Sequence, residues 1–361
     1  MSTGTGEEGR PLPYRVIQWA TGVVGRYALR SILNRPDLEL VGVVVHDPAK
    51  AGRDAGELAG VPPTGVRATA DPEEAFALDA DCVSYMPAPS AFFADDPDRD
   101  TEVLCRLLAA GKNVVTTTGY LYPAAHGAAL VAQLEAACRE GGTSLHGTGL
   151  NPGFMGDLVP LVLSGLSARL DRVFARESSD MTGYASPGVI VDLMGFTKPP
   201  ERYEVDAVPY RRFMLSCFAE SIHLVAAGLG LTVEEVRAFD EYELATRRLE
   251  IAAGVAEPGT VCGSRWAYTG VVDGRDLVTL EVVYKVHPDV VTRWCPPGFA
   301  VRIEGRPRLD LEVGGEWIQN GLLATAAHAV NAIPLVCEAP PGVRTLLDLP
   351  LVTARGVVSG V

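Results

Sequence analysis

Along the first part of the chain, short apolar runs alternate with stretches whose apolar residues recur every three or four positions. A run bounded by turn residues reads as a buried strand, and the wider spacing reads as an amphipathic helix. Tyr14-Arg-Val-Ile-Gln-Trp19 is the first such strand, and Arg26-Tyr-Ala-Leu-Arg-Ser-Ile-Leu33 is the helix after it. Further strands are predicted at 38–45, 81–86, 113–117 and 143–146, and helices at 100–110 and 124–140, stopped by Gly111 and by Gly141-Gly142. This alternation predicts an α/β fold built on a Rossmann-type, doubly wound parallel sheet.

After residue 155 the pattern turns to extended, alternating segments, beginning with Arg172-Val-Phe-Ala-Arg-Glu-Ser-Ser179. Segments 264–272 and 277–286 predict antiparallel strands joined at Asp273-Gly274, and 299–304 with 309–313 predicts a second pair. With a helix at 213–228 these make an α+β substrate domain. The last helix, 320–339, is uncharged except for Glu338 and is expected to lie buried between domains. The chain's 361 residues exceed one ordinary core. The expected division is a disordered tail at 1–13, a dinucleotide-binding domain at 14–155, a second domain at 156–319 and a returning C-terminal segment at 320–361.

Composition narrows the partners. A net charge of −14 disfavours nucleic acid and anionic membrane. No apolar run approaches the ~20 residues of a membrane helix, and residues 1–13 lack the basic and apolar regions of a signal peptide. Seven dispersed cysteines without CxxC spacing read as reduced thiols of a cytoplasmic protein, and the scattered histidines suggest no metal site.

The turn between the first strand and helix, Ala20-Thr-Gly-Val-Val-Gly25, carries the most chemistry. Gly22 lets backbone approach a pyrophosphate, Gly25 lets helix pack on strand, and the helix's first amides face the anion. Candidate contacts are Thr21, Gly22, Val23, Val24, Gly25 and Arg26. Ala20 stands at the first glycine position of GxGxxG, so the fingerprint is incomplete, and an ordinary strand-to-helix turn is the alternative. The second strand ends at His46-Asp47, where a carboxylate holds a ribose hydroxyl of NAD. Lys50 and Arg53 could instead pair with the 2′-phosphate of NADP or form a solvated loop. Ligands in such sheets lie beyond the strands' carboxyl ends, which adds Pro87, Thr117, Asn151 and Pro152.

Trp19-Ala-Thr-Gly-Val-Val-Gly-Arg26, Gly147-Thr-Gly-Leu-Asn-Pro-Gly-Phe154, Val330-Asn-Ala-Ile-Pro334 and Ala339-Pro-Pro-Gly342 resemble the 2,4-diaminopentanoate dehydrogenase and native amine dehydrogenase family. Its N-terminal domain is similar to that of dihydrodipicolinate reductase. The resemblance runs over nearly the whole chain from Tyr14. It implies an NAD(P)-dependent homodimer that interconverts amines with ketones or aldehydes plus ammonia, with hydride passing between nicotinamide and substrate in the interdomain cleft. Amine-forming members place a glutamate just after the strand that here ends at Thr117, to hold ammonia and move protons. Here that loop reads Thr118-Gly-Tyr-Leu-Tyr-Pro123, without an acid.

Replacement candidates are Tyr120 and Tyr122 as hydroxyl donors, Glu177 and Asp180 as acid or ammonium anchor, and His146 beside the nicotinamide. Each has a plainer alternative: packed aromatics, a solvated strand, a core histidine. Asp157, in the first turn of a helix, is explained by the helix dipole, and Asn331 by an interdomain hydrogen bond. The expected reaction is reductive amination of a mainly apolar carbonyl compound. The alternatives are carbonyl or preformed-imine reduction with a tyrosine donor, and a non-catalytic dinucleotide sensor.

Overall fold

The computed structural model describes residues 13–287, 294–316 and 320–357. Apart from Pro13, the tail expected at 1–13 lies outside them. The first part runs β1 (Tyr14–Trp19), α1 (Val23–Leu33), β2 (Leu38–Val44), α2 (Ala55–Ala59), β3 (Ala68–Thr69), α3 (Pro72–Ala77), β4 (Cys82–Tyr85), α4 (Ser90–Phe93), α5 (Arg99–Ala109), β5 (Asn113–Thr116), α6 (Ala128–Gly141) and β6 (Ser144–Gly147). The strands pair in parallel in the order β6-β5-β4-β1-β2-β3. Val16, Ile17, Val83, Val114 and Val115 are fully buried, because helices cover both faces of the sheet. Strand order reverses between β1 and β4, which opens the crevice where ligands of such sheets bind.

The second part continues with α7 (Leu158–Ser164), β7 (Arg169–Asp180), α8 (Pro200–Asp206), α9 (Val208–Gly228), β8 (Glu235–Leu244), β9 (Leu249–Ile251), β10 (Gly254–Ala256), β11 (Val261–Val272), β12 (Arg275–Lys285), β13 (Gly298–Arg306) and β14 (Leu309–Val313). Six of these strands form a sheet in the order β14-β13-β7-β12-β11-β8. Its β11–β12 hairpin turns at Asp273 (φ 49°) and Gly274 (φ 69°), both left-handed as an Asp-Gly hairpin turn requires. β7 and β12 pair in parallel, which sets Glu177 beside Val282 and Ser179 beside Tyr284. Met214, Phe218, Ile222 and Val225, at helical spacing, bury one face of α9 in the same core as Trp266 and Tyr268.

The chain then returns to the first sheet through α10 (Gly321–Glu338) and β15 (Gly342–Val343), the latter pairing with β6. This corrects the expectation for the last helix. Only the N-terminal end of α10 faces the second layer; the rest packs beside α1, where Ala326, Ala329, Val330 and Ile333 share a core with Ala28, Leu29 and Ile32. By length and hydropathy α10 could pass for a membrane span, contrary to the expectation above; this packing accounts for its buried apolar residues, while Leu322 and Leu323 are exposed. Asn331 accepts a 2.8 Å hydrogen bond from Arg35, just beyond α1, within the first layer and not across domains.

The turn after β6 links the two layers. A Cβ on Gly147 would stand 2.3 Å from the Gly119 carbonyl oxygen, so only glycine lets β6 end against the loop after β5. The Asn151–Pro152 peptide is cis. Asp157, expected to serve the dipole of α7, instead turns inward, fully buried, and accepts a hydrogen bond from the Gly153 amide. Burial pushes its carboxyl up to about 6. A carboxyl raised in the folded state gives stability that is present below its ordinary range near 4 and is lost as pH rises through about 6. Asp157→Asn keeps an acceptor for Gly153 and removes that titration. Its stability, followed by urea unfolding, should lose roughly 2 kcal/mol less than the wild type between pH 4 and pH 7. Identical pH profiles would contradict the buried, ionising Asp157.

Candidate active site

The glycine turn is built from beneath. Gln18, fully buried in β1, donates to the carbonyl oxygens of Trp19 (3.2 Å) and Ala20 (3.0 Å). Ala20 adopts φ 72°, so the residue at the incomplete position of the fingerprint has the left-handed backbone that glycine would take. A Cβ on Gly25 would lie 2.2 Å from the Ala20 carbonyl oxygen, which makes Gly25 obligatory for the close packing of α1 on β1. Gly22 caps α1 without a side-chain acceptor, the first turn holds no acid, and a Cβ on Gly22 would meet nothing within 4 Å. These amides at the positive end of α1 are the donor set that a pyrophosphate takes.

The neighbouring candidates divide. Thr21 is buried, and Lys50 reaches back to its carbonyl oxygen at 3.2 Å, which puts a cation against the turn. Val23 borders the interdomain cavity described below, Val24 packs toward the α1 core, and Arg26 is exposed. The Asp47 carboxylate accepts from the Ala49 amide at 2.9 Å, and Arg53 is paired with Glu57 at 2.8 Å. His46 follows β2 on the surface, with its protonation disfavoured by partial burial and by Arg99. Pro87 lies two residues beyond β4 and Thr117 directly follows β5, with the Thr117 amide bonded to the Tyr85 carbonyl oxygen.

A cavity of about 510 Å³ opens between the layers, bordered by Val23 and Tyr27 of α1, Asn151, Glu177, Asp180 and the N-terminal end of α10. Most of its remaining wall is apolar or aromatic, including Met181, Tyr184, Val189, Met194, Leu322 and Leu323. Glu177 is half-buried there. Its carboxylate accepts from the Asn151 amide at 2.8 Å and from the Ser179 hydroxyl at 3.0 Å. Burial raises its pKa, and those bonds, with Tyr284 alongside, only partly oppose the rise. Asp180 is tied to the backbone amide of Thr182 at 2.9 Å and to the Thr182 hydroxyl.

The other catalytic candidates are not in this cavity. Tyr120 turns toward α5, where its hydroxyl meets Thr101 at 2.8 Å, and burial pushes it up to about 12. The Tyr122 backbone is engaged by Glu220. His146 is bonded through Nδ1 to the Arg344 carbonyl oxygen at 2.7 Å, and burial lowers its pKa. It borders a separate 150 Å³ cavity with His328, under the returning C-terminal segment. The core-histidine alternative is therefore its place in the structure.

Sequence reasoning missed Tyr210 and Tyr284, which line the main cavity, and Glu220, which serves the acid-free loop from α9. The alternation of β12 carried the signal for Tyr284. The signal for Glu220 was a lone acid within the otherwise apolar and neutral stretch Phe213-Met-Leu-Ser-Cys-Phe-Ala-Glu-Ser-Ile222.

Comparison with known proteins bears on this geometry. Residues 154–358 match the model of the 2,4-diaminopentanoate dehydrogenase C-terminal domain, and residues 16–137 that of the dihydrodipicolinate reductase N-terminus. Over 357 residues, 94% of this chain and 97% of the relative, the protein is 33% identical to an amine dehydrogenase of Streptomyces virginiae. It is 25% identical to the 2,4-diaminopentanoate dehydrogenase of Acetoanaerobium sticklandii over 242 residues, 66% of this chain and 67% of that one. The solved structure of an amine dehydrogenase from Mycobacterium smegmatis shares its fold, with a TM-score of 0.76 at 22% identity over 95% of this chain and 98% of that one. The glycine turn, the two sheets and these matches agree: the chain belongs to the 2,4-diaminopentanoate dehydrogenase and amine dehydrogenase family and is an oxidoreductase that uses a nicotinamide dinucleotide.

Proposed function

We propose that the protein catalyses reductive amination of an apolar ketone or aldehyde, and the reverse oxidation of the amine, with Glu177 in the role that a loop glutamate has in amine-forming relatives. The observation that carries this reading is a single one. A carboxylate of raised pKa faces a largely apolar cavity that also reaches the glycine turn. The names of the relatives support the same reaction class.

The residues have distinct parts in it. As a carboxylate, Glu177 attracts ammonium and takes a proton from it, leaving ammonia to attack the carbonyl carbon. As a carboxylic acid, it returns a proton to the departing hydroxyl, so that water leaves and a C=N bond forms. A carboxyl whose pKa burial raises suits both steps. Asn151 fixes the carboxylate from the turn after β6, and the apolar wall limits water around the C=N bond. The nicotinamide, when bound, supplies the hydride that turns the C=N carbon into an amine carbon. Overall, carbonyl compound, ammonia, hydride and a proton give amine and water.

Carbonyl reduction with a loop tyrosine as proton donor has less support, because the Tyr120 hydroxyl is engaged by Thr101 away from the cavity. A non-catalytic sensor has no use for a half-buried carboxylate of raised pKa in its cleft. For the cofactor, Asp47 favours NAD: one oxygen is held by Ala49, and the other, without a hydrogen-bond partner among the described residues, can accept a ribose hydroxyl. The charge of Arg53 is already matched by Glu57.

Glu177→Gln should lower the ammonia-dependent kcat by about 10²–10⁴-fold while dinucleotide affinity, measured by calorimetry, stays the same. Asp180→Asn should cost less than about tenfold, because that carboxylate is already committed to Thr182. An unchanged kcat in Glu177→Gln would contradict the assignment. Gly22→Asp should abolish dinucleotide binding by placing a negative charge at the positive end of α1. Calorimetric affinity equal to the wild type would remove the glycine turn from the site.

A further inference from the structure

An acid of the second layer is built into a loop of the first. Glu220 lies on α9 at 3% exposure, among apolar neighbours, and spends its carboxylate on the segment after β5. Its Oε1 accepts from the Tyr120 backbone amide at 3.2 Å and contacts His126 Nε2 at 2.9 Å. Its Oε2 accepts from the Tyr122 backbone amide at 2.8 Å.

The segment it holds has an uncommon backbone. Gly119 has φ 112° and Tyr120 φ 63°, both left-handed. A non-glycine residue keeps such a conformation only where its surroundings impose it. Two neighbouring amides converging on one buried carboxylate are such a surrounding, since neither amide can be left unpaired away from water. The opposite side of the loop rests against Gly147 at the end of β6. The loop after β5 is thus clamped between the end of β6 and a side chain about one hundred positions later in the chain.

The loop beyond Thr117 follows the carboxyl end of β5, where ligands of such sheets bind. We propose that Glu220 is a positioning residue that sets this loop against the nicotinamide half of the cofactor cleft, so that α9 of the second layer governs how that half is held. The inference rests on the cofactor site proposed above. Glu220 is not a second catalytic acid, because amides and a histidine occupy its oxygens and it borders a separate cavity of about 300 Å³. Glu220 also limits what the loop can carry at position 119. A side chain on Gly119 would begin 3.3 Å from Glu220 Oε1, on a backbone that side chains rarely adopt. Any side chain at 119 would therefore press on the Glu220 carboxylate.

The test separates the two halves of the cofactor. Calorimetry with ADP-ribose reads the pyrophosphate and adenosine half, and calorimetry with the intact dinucleotide adds the nicotinamide. Glu220→Gln exchanges one acceptor oxygen for an amide donor, so one loop amide loses its partner. In this variant ADP-ribose should bind as in the wild type, while dinucleotide affinity and kcat fall by about 10–100-fold and the KM for the carbonyl compound holds. Gly119→Ala approaches the same contact from the loop and should show the same split, which keeps the test available if Glu220→Gln fails to fold. Wild-type values in a folded Glu220→Gln or in Gly119→Ala would overturn the inference, as would equal losses for both probes. A wild type that binds neither probe would instead overturn the cofactor site itself, and this inference with it.

Discussion

The hydrogen bond from the Asn151 amide to the Glu177 carboxylate, 2.8 Å long, joins the turn that closes the first sheet to the strand that opens the second. Both ends of it are fixed. The turn is held from below by the buried Asp157 and closed by glycines that no other residue could replace without collision. Glu177 belongs to β7, which is paired on one side with β12 and on the other with β13. A carboxylate withdrawn from water is costly unless its oxygens are bonded. Asn151 and Ser179 satisfy it in part, and the remaining penalty is expressed as a raised pKa. The structural tie and the chemical property of the acid are therefore one arrangement.

The same device recurs where elements distant in the chain must meet. Arg35 bonds Asn331 and so fixes α10 against the end of α1, and Glu220 fixes the loop after β5 from α9. Apolar packing alone tolerates sliding, because dispersion and hydrophobic burial are not directional. A buried polar pair has one satisfactory geometry, so a few such pairs define how the layers sit on each other. For an enzyme that must align a hydride donor, a carbonyl carbon and a proton source, that definition matters more than the modest stability each pair contributes.

Much of this was legible in the sequence, and the division follows the range of the interaction. The strand-turn-helix start, the alternating parallel strands and the Asp273-Gly274 hairpin rest on spacing within a few residues, and they stand where the pattern put them. Glu177 was only one of two acids near the end of a strand. The parallel β7–β12 pairing that gives it Tyr284 and the cavity depends on residues about a hundred positions away. Glu220 was invisible as a site residue, since nothing local distinguishes a buried acid on a helix from an exposed one except its apolar neighbours. His146 took the plainer of its two readings, a core histidine, while α10 was misplaced for a related reason. Apolar character announces burial but not the partner, and the chain brings α10 and the C-terminal segment back over the first sheet.

The account stands most directly on ammonia being the second substrate. Oxidation of NADH by the wild-type protein should be followed with a panel of apolar ketones and aldehydes, each with and without concentrated ammonium at alkaline pH. Turnover that requires ammonium is the predicted result. Equal turnover without it would contradict the role given to Glu177 and make the protein a carbonyl reductase.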